Sequence, residues 1–291
     1  MQVFADDDND RVAAELANLL HGMSASAIQF SDYDLASRIF LALADRRREL
    51  ELKPGDDTRT TGRALAKELH PAVAKVLEED LVSGDVGRQA PAAQVLGSLG
   101  APAIPLLVDV IKRERKFRTR QMAAMLLRDL GPRAAAQLKQ ELTSEVGTEQ
   151  RFRILEILDV VTRRVTDELT YCLGDGSPKI RQAAYQLAER VGDPALVAVV
   201  APHTQSAGLD LAQSAIRCLA QLGSKDAARV LVTTLQSTEK SDHAVACAQA
   251  LGQIGDPVAV ETLVGLMLRK KSWFRGWRWD DQVRTTAAIA L

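Results

Sequence analysis

The sequence has few aromatic residues: Phe, Trp and Tyr make up 4% of its 291 residues. Apolar residues still make up 46%, so most buried surface must come from Ala, Leu and Val, which suit closely packed helices better than a β-sandwich. No apolar run approaches the roughly 20 residues needed to cross a bilayer. The first residues, Met1 to Asp10, are acidic where a signal peptide would be basic. We therefore expect a helical protein of the cytoplasm that has no membrane partner.

Neither sign of charge is in excess, because 37 Lys and Arg stand against 38 Asp and Glu. The net charge of -1 gives no overall field that would draw the chain onto nucleic acid. Cysteine is scarce, and Cys172, Cys218 and Cys247 lack the Cys-x-x-Cys spacing of a zinc knuckle and are odd in number for a disulfide framework. We expect them to be small buried residues.

Catalytic motifs are also lacking. The four histidines show no His-Glu-x-x-His spacing, and neither a Gly-x-Ser-x-Gly turn nor a phosphate-cradling glycine loop occurs. The sequence therefore favours a binding role over catalysis, and we expect no cofactor and no bound metal.

What the sequence does contain is a repeat of about 31 residues. A closing position recurs at 100, 131, 162, 192, 223 and 255, and it is glycine everywhere except Thr162. Glycine permits the left-handed conformation that ends a helix, Asp193 or Asp256 can cap the next one, and proline suits its first turn. Each repeat therefore predicts a helical hairpin, with a wider turn at Thr162 or a bend in the stack there.

The predicted fold class is all-α. Residues 58–291 are expected to form a solenoid of about seven hairpins, because no hairpin can bury its apolar face alone. The last hairpin is truncated, since 283–291 reproduces a first helix without its joint, so we expect a longer array or a completing subunit. Residues 1–57 are predicted to be an N-terminal helical cap or diverged repeat, with helices at 10–20 and 31–50 capped by Asn9 or Asp10 and by Ser31.

Three segments carry a family resemblance. Ile180-Arg-Gln-Ala-Ala184, the looser form at 283–288, and Leu-Gly-Gln-Ile-Gly-Asp-Pro at 251–257 resemble bacterial HEAT-repeat proteins, including the HEAT-like repeats named after phycobilisome lyases. The resemblance covers about residues 58–291 and implies a right-handed α-solenoid with a curved interaction surface. One arginine recurs at an equivalent first-helix position, and we expect a ladder of structural hydrogen bonds there: Arg120, Arg151, Arg181 and Arg284.

Two connections between hairpins are candidate binding segments. The first contains all three tryptophans of the chain and is rich in arginine, a composition typical of interaction hot spots: Trp273, Phe274, Arg275, Trp277, Arg278 and Trp279. The alternative is that these rings fold back over the last hairpins. The second connection is basic, with a solvated surface as its alternative interpretation: Lys112, Arg113, Arg115 and Lys116.

The sequence therefore predicts an interaction scaffold or adaptor that binds a protein partner. Nucleic-acid binding through the basic and aromatic segment 269–279 is the alternative, disfavoured by the near-zero net charge. A second alternative, a bilin-lyase-like accessory protein, comes only from the family resemblance.

Overall fold

The computed structural model describes residues 7–51, 71–143, 146–206, 208–268, 270–272, 276–277 and 279–291. The chain divides into two compact units, Met1–Thr162 and Arg163–Leu291. The predicted domain boundary after residue 57, and the first helix of the diverged repeat beyond it, lie outside the described residues and stay predictions.

Helices make up the first unit. In chain order they are α1 (Asp7–Gln29), α2 (Tyr33–Glu51), α3 (Pro71–Val82), α4 (Val86–Leu99), α5 (Ile104–Arg113), α6 (Phe117–Asp129), α7 (Pro132–Thr143), α8 (Thr148–Leu155) and α9 (Leu158–Val161). Helix α2 packs on α1 and α4, α4 packs on α3, and α6 packs on α5 and α9. Each helix therefore contacts its near neighbours in sequence, as the repeat predicts.

The second unit continues the pattern. Its elements are α10 (Thr166–Leu173), α11 (Pro178–Val191), α12 (Val197–Val200), α13 (Leu209–Leu222), α14 (Lys225–Ser237), α15 (Ser241–Ile254), α16 (Val260–Leu268), strands β1 (Lys270–Ser272) and β2 (Gly276–Trp277), and α17 (Asp281–Ile289). The first helices of successive hairpins pack in a row, α11 on α13, α13 on α15 and α15 on α17. The predicted all-α solenoid of stacked hairpins is confirmed, and the antiparallel pair of β1 and β2 is a small addition to it.

The five glycine joints all have a positive φ, between 60° and 84°: Gly100, Gly131, Gly192, Gly223 and Gly255. The predicted left-handed conformation is confirmed at Gly192, Gly223 and Gly255, whereas Gly100 has a ψ of -136°, outside that region. The carboxylates of Asp193 and Asp256 each accept a hydrogen bond, at 2.9 Å, from the backbone N–H two residues later. Most of the predicted joints therefore lie at the expected residues, and the expected aspartates cap the helices that follow Gly192 and Gly255.

The joint without glycine differs, as expected. Thr162 is extended, with φ -154° and ψ 145°, and the helix before it is interrupted at Glu156 and Ile157. The division between the two units falls directly after Thr162. Arg163 then donates a hydrogen bond of 3.2 Å to the carbonyl oxygen of Val191 at the next joint.

Two predicted details of the N-terminal helices are wrong, the bounds of α1 and the cap of α2. Helix α1 begins at Asp7 rather than at residue 10, and it runs to Gln29 rather than to Leu20. The predicted cap Ser31 is wrong by one residue: Ser31 has a φ of 60° and lies in the turn, while the carboxylate of Asp32 accepts a 3.1 Å bond from the N–H of Leu35. Asp32 caps the helix instead, because Ser31 occupies the preceding turn with a positive φ and an N-cap residue is normally extended.

A buried carboxylate joins α2 to the first described hairpin. Asp80 on α3 is 3% exposed, accepts a hydrogen bond from the hydroxyl of Tyr33 on α2, and forms an ion pair with Arg88 on α4. Burial, followed by the hydrogen bond to Asp80, raises the pKa of Tyr33 to about 12. The three side chains therefore attach the N-terminal helices to the stack.

We expect Tyr33→Phe to lower the free energy of unfolding by about 1–2 kcal/mol, because a hydrogen bond to a buried charged acceptor is lost. The pKa of Tyr33 is about 10 in the unfolded chain and about 12 in the folded one, so the unfolded chain loses the proton first as pH rises. The contribution is complete below about pH 10 and is lost toward pH 12. Urea unfolding of both proteins at pH 7, 9 and 11 measures this.

The difference between the two proteins should shrink at pH 11. Tyr185, whose pKa is also raised by burial, is present in both and cancels in the comparison. A difference that stays constant up to pH 11 would contradict the proposed hydrogen bond.

The last described hairpin depends on a close helix contact. A Cβ atom on Gly252 of α15 would lie 2.8 Å from both Cα and Cβ of Ala290, just beyond α17.

We expect Gly252→Ala to lower the free energy of unfolding by about 1–3 kcal/mol, because neither backbone can yield without moving a helix. The matched control is Gly265→Ala on α16, where nothing lies within 4 Å; it should be neutral or stabilising by up to ~1 kcal/mol. Circular dichroism during urea unfolding compares them, and equal midpoints would refute the contact.

Among the described residues, no helix is long and apolar enough to cross a membrane. The three cysteines are buried free thiols, as predicted.

Candidate functional site

The basic connection between α5 and α6 is held by two guanidinium groups from neighbouring helices. Arg153 on α8 donates to the carbonyl oxygens of Lys112 and Arg113 at 2.8 and 2.9 Å. Arg120 on α6 donates to those of Glu114 and Arg115 at 3.2 and 2.7 Å. Four consecutive carbonyl groups are therefore satisfied from the inside of the unit.

The guanidinium of Arg120 is itself fixed on both sides. Its side chain is buried, it pairs with Glu156, and its central carbon lies 5.6 Å from the ring centroid of Phe117. The N–H of Lys116 also donates to the carboxylate of Glu114 at 2.8 Å. The connection is consequently a braced segment rather than a loose loop.

Not all of the predicted basic residues are available to a partner. The side chain of Lys112 is only 16% exposed, and its ammonium pairs with Glu141 on α7 at 2.9 Å and with Asp109 at 3.6 Å. Arg113 is 66% exposed and pairs with the same Asp109 at 3.4 Å. Lys112 therefore links two neighbouring hairpins through its ion pair with Glu141.

The remaining cations of the connection are exposed to solvent. Arg115, Lys116 and Arg118 are exposed, and none of them forms an ion pair with the residues that the structure describes. Phe117 between them is 49% exposed. Three exposed cations next in sequence to a half-exposed ring can receive carboxylates and an apolar side chain together. We call residues 115–118 the basic patch.

The tryptophan-rich connection belongs to the second unit. Strands β1 and β2 pair antiparallel, with Lys270 opposite Trp277, and the side chain of Trp277 lies outside the described part. Four of the predicted site residues fall on undescribed positions: Trp273, Phe274, Arg275 and Arg278. Their role stays a prediction.

Trp279 follows the alternative interpretation, in which the rings cover the last hairpins. Its side chain is 6% exposed and lines a cavity of about 550 Å³ together with Leu235 on α14 and Leu266 on α16. A buried ring at this place contributes to the packing of the second unit, so Trp279 does not offer its faces to solvent.

The predicted arginine ladder is confirmed at Arg120, Arg181 and Arg284, and at Arg151 it stays a prediction. Besides Arg120, Arg181 donates to the carbonyl oxygens of Asp175 and Gly176 at 2.7 and 3.0 Å. Arg284 donates to the carbonyl oxygen of Met267 at 3.2 Å. These side chains support the connections from within, as the structural interpretation predicted, and are not open to a ligand.

Neither Arg153 nor Phe117 was identified from the sequence as a residue of the site. Arg153 lies two residues past the repeated position of Arg151, so the spacing offered no reason to assign it a bond to residues some 40 positions earlier. Phe117 begins α6 and would be expected in the core, yet half of it is exposed. Only the charged residues around it marked the segment.

Residues 209–291 match the family model of HEAT repeats. This segment covers α13 to α17, and the resemblance predicted from the sequence is confirmed there. No curated protein sequence matches the chain.

Several solved structures are similar in fold. Human deoxyhypusine hydroxylase in complex with glycerol is 19% identical over 88% of this chain and 97% of its own, with a TM-score of 0.38. Kap121p bound to Nup53p is 10% identical over 90% of this chain, which spans only 37% of Kap121p, with a TM-score of 0.46. The CpcE and CpcF complex of phycocyanin lyase from Nostoc sp. PCC7120 is 18% identical over 84% of this chain and 92% of that one, with a TM-score of 0.30. These low scores assign no partner or activity to the chain.

We expect Arg120→Met to lower the free energy of unfolding by about 2–4 kcal/mol, because a buried guanidinium that pairs with Glu156 and donates to two carbonyl groups is removed. The matched control is Arg128→Met, which removes an exposed arginine from the same helix and should change stability by less than about 0.5 kcal/mol. Urea unfolding of both variants measures the difference. Equal losses would show that the guanidinium does not support the connection.

Proposed function

We propose that this chain is a repeat scaffold that binds an acidic segment of a protein partner through the basic patch. The observation that carries the proposal is the bracing of carbonyls 112–115 by Arg120 and Arg153. A backbone held in this way needs little further ordering on binding, so less of the interaction free energy is lost to entropy.

The chemistry of the patch favours a peptide with both acidic and apolar side chains. Arg115, Lys116 and Arg118 supply positive charge, and Phe117, 49% exposed, supplies apolar ring surface, with the guanidinium of Arg120 over its ring. The acidic groups closest in sequence are already engaged, Asp109 with Lys112 and Arg113, and Glu114 with the N–H of Lys116. Asp109 therefore does not neutralise the patch, and Glu114, which keeps its charge, offsets only one of the three cations.

Nucleic acid is the weaker candidate for the same surface. Binding to phosphates depends on many cations along a strand, whereas the patch has three and the whole chain has a net charge of -1. The tryptophan-rich connection, at Trp277 and its undescribed neighbours, remains a proposed second contact for a protein partner. The bilin-lyase alternative rests on family resemblance alone.

The test reverses the charge of the patch. We expect the double variant Arg115→Glu, Arg118→Glu to bind a partner captured by the wild-type chain at least about tenfold more weakly, because two attractions become repulsions. Partner capture from the source organism, followed by titration of the purified partner, measures it. Circular dichroism should show unchanged helicity.

The matched control carries the same charge change at the far end of the same hairpin. Arg128→Glu, Arg133→Glu alters two exposed arginines beside the Gly131 joint, about 18 Å along α6 from the patch at 1.5 Å per residue. It should bind the partner as the wild type does. Equal affinity of the patch variant and the wild type would contradict the proposal.

A labelled single-stranded oligonucleotide distinguishes the alternative. The proposal expects no saturable binding at low salt. Binding that falls steeply with added salt and disappears in the patch variant would assign the surface to nucleic acid instead.

A further inference from the structure

Glutamine is concentrated on one face of three successive first helices in the second unit. The fifth, ninth and thirteenth residues after the cap of each helix share this face in α11, α13 and α15. The chain has 17 glutamines among 291 residues, so an even distribution would put fewer than one at these nine positions. Six of the nine are glutamine, and all six are exposed: Gln182, Gln186, Gln213, Gln221, Gln249 and Gln253. We call these six residues the glutamine face.

A groove of about 500 Å³ lies between α13 and α15 on this face. Gln213 on α13 lines it together with Gln249 and Gln253 on α15. The buried part of the lining is apolar, and two of its three residues are alanine: Ile216, Ala220 and Ala250. Because the alanine side chain is a single methyl group, a second backbone can come close to the base of the groove.

The amide groups of the groove have no partner within the described part of the chain. Gln213, Gln249 and Gln253 form no side-chain hydrogen bond with the residues that the structure describes. Glutamines elsewhere are engaged: Gln89 donates to the carbonyl oxygen of Leu81 at 2.9 Å, and Gln236 donates to the hydroxyl of Thr262 at 3.2 Å. The amides of the groove are therefore open to an external ligand.

The spacing of these amides matches an extended polypeptide. An amide side chain both accepts and donates, so it can pair with the N–H and the C=O of one residue of an extended chain. Residues on the same edge of such a chain recur at every second position, about 6.6–6.8 Å apart. Glutamines four residues apart on a helix, such as Gln249 and Gln253, are about 6 Å apart along its axis. The flexible side chains can absorb the difference, so successive amides can bond to alternate residues of a strand that lies along the helix.

The charge of the groove favours an uncharged ligand. Its two charged lining residues, Arg217 and Asp242, have opposite signs. A neutral groove does not attract a phosphate backbone or a run of like charges, whereas a peptide main chain carries no net charge. Helices α13 and α15 have 14 residues each and are therefore about 21 Å long, which is the length of about six residues of extended chain.

We propose that this groove binds an extended, uncharged segment of a partner protein through its main chain. Each amide oxygen accepts a hydrogen bond from a backbone N–H of the segment, and each amide nitrogen donates to the C=O of the same residue. The groove lies in the second unit and shares no residue with the basic patch. This proposal and the proposed function can therefore fail independently.

The test measures main-chain recognition by the full chain with two capped, uncharged peptides. One is acetyl-(Thr-Ser)4-amide, and the other has the same sequence with N-methyl groups on alternate peptide nitrogens, which removes the N–H donors from one edge. The unmethylated peptide should shift the side-chain NH2 signals of Gln213 in NMR spectra in a saturable way, with a Kd at least about tenfold lower than that of the methylated peptide. These signals are assigned by their absence from Gln213→Ala.

A pair of double variants locates the peptide. Gln249→Ala, Gln253→Ala should raise its Kd at least about tenfold, with the signals of Gln213 again as the readout. The matched control is Gln137→Ala, Gln140→Ala on α7 of the first unit, which should leave the Kd unchanged. Both pairs introduce alanine, the best helix former, so circular dichroism should show unchanged helicity.

The charge-reversed basic patch separates this site from the proposed function. Arg115→Glu, Arg118→Glu should bind the peptide as the wild type does. The proposal is overturned by equal Kd values for the two peptides, by equal Kd values for the two glutamine double variants, or by no shift at about 10 mM peptide. A Kd that rises steeply between about 50 and 300 mM salt would indicate recognition of charge and would overturn it as well.

Discussion

Stacking helical hairpins leaves the backbone of each connecting segment at the edge of the core, where its carbonyl groups need donors that water supplies only in part. Here, buried guanidinium groups supply them. Arg120 and Arg181 each bond to two successive carbonyl groups of the connection before their own helix, and Arg284 bonds to the end of the preceding hairpin. Because a buried carbonyl without a partner costs about 1–3 kcal/mol, these bonds determine how one hairpin can follow another.

The same bonds decide which surfaces are open to a partner. Where donors are plentiful, between α5 and α6, Arg120 and Arg153 turn the carbonyl groups inward, and exposed side chains such as Arg115 are displayed on a braced backbone. In α15 the equivalent residue is Ala244, so that position supplies no guanidinium to the connection before the helix.

Much of the architecture could be predicted because its signals are local. A glycine that must adopt a positive φ, followed by a capping aspartate and a proline, identifies a joint without knowledge of the rest of the chain, as at Gly192 and Gly255. The errors were local too: the cap of α2 is Asp32 and not Ser31, since both residue types suit that position and only the turn geometry distinguishes them. The site was harder to predict, because exposure depends on partners distant in sequence. Lys112 forms an ion pair with Glu141 and is not open to a partner, and Trp279 is buried against the helices before it.

The amino-acid sequence by itself determined that the chain is helical, where its hairpins turn and that its cysteines are buried, because each of these follows from residues within one repeat. Tertiary structure alone decided that Lys112 is engaged by Glu141 and that Trp279 is buried. Those outcomes depend on groups some 30 to 40 residues apart, and no local pattern records whether such groups meet.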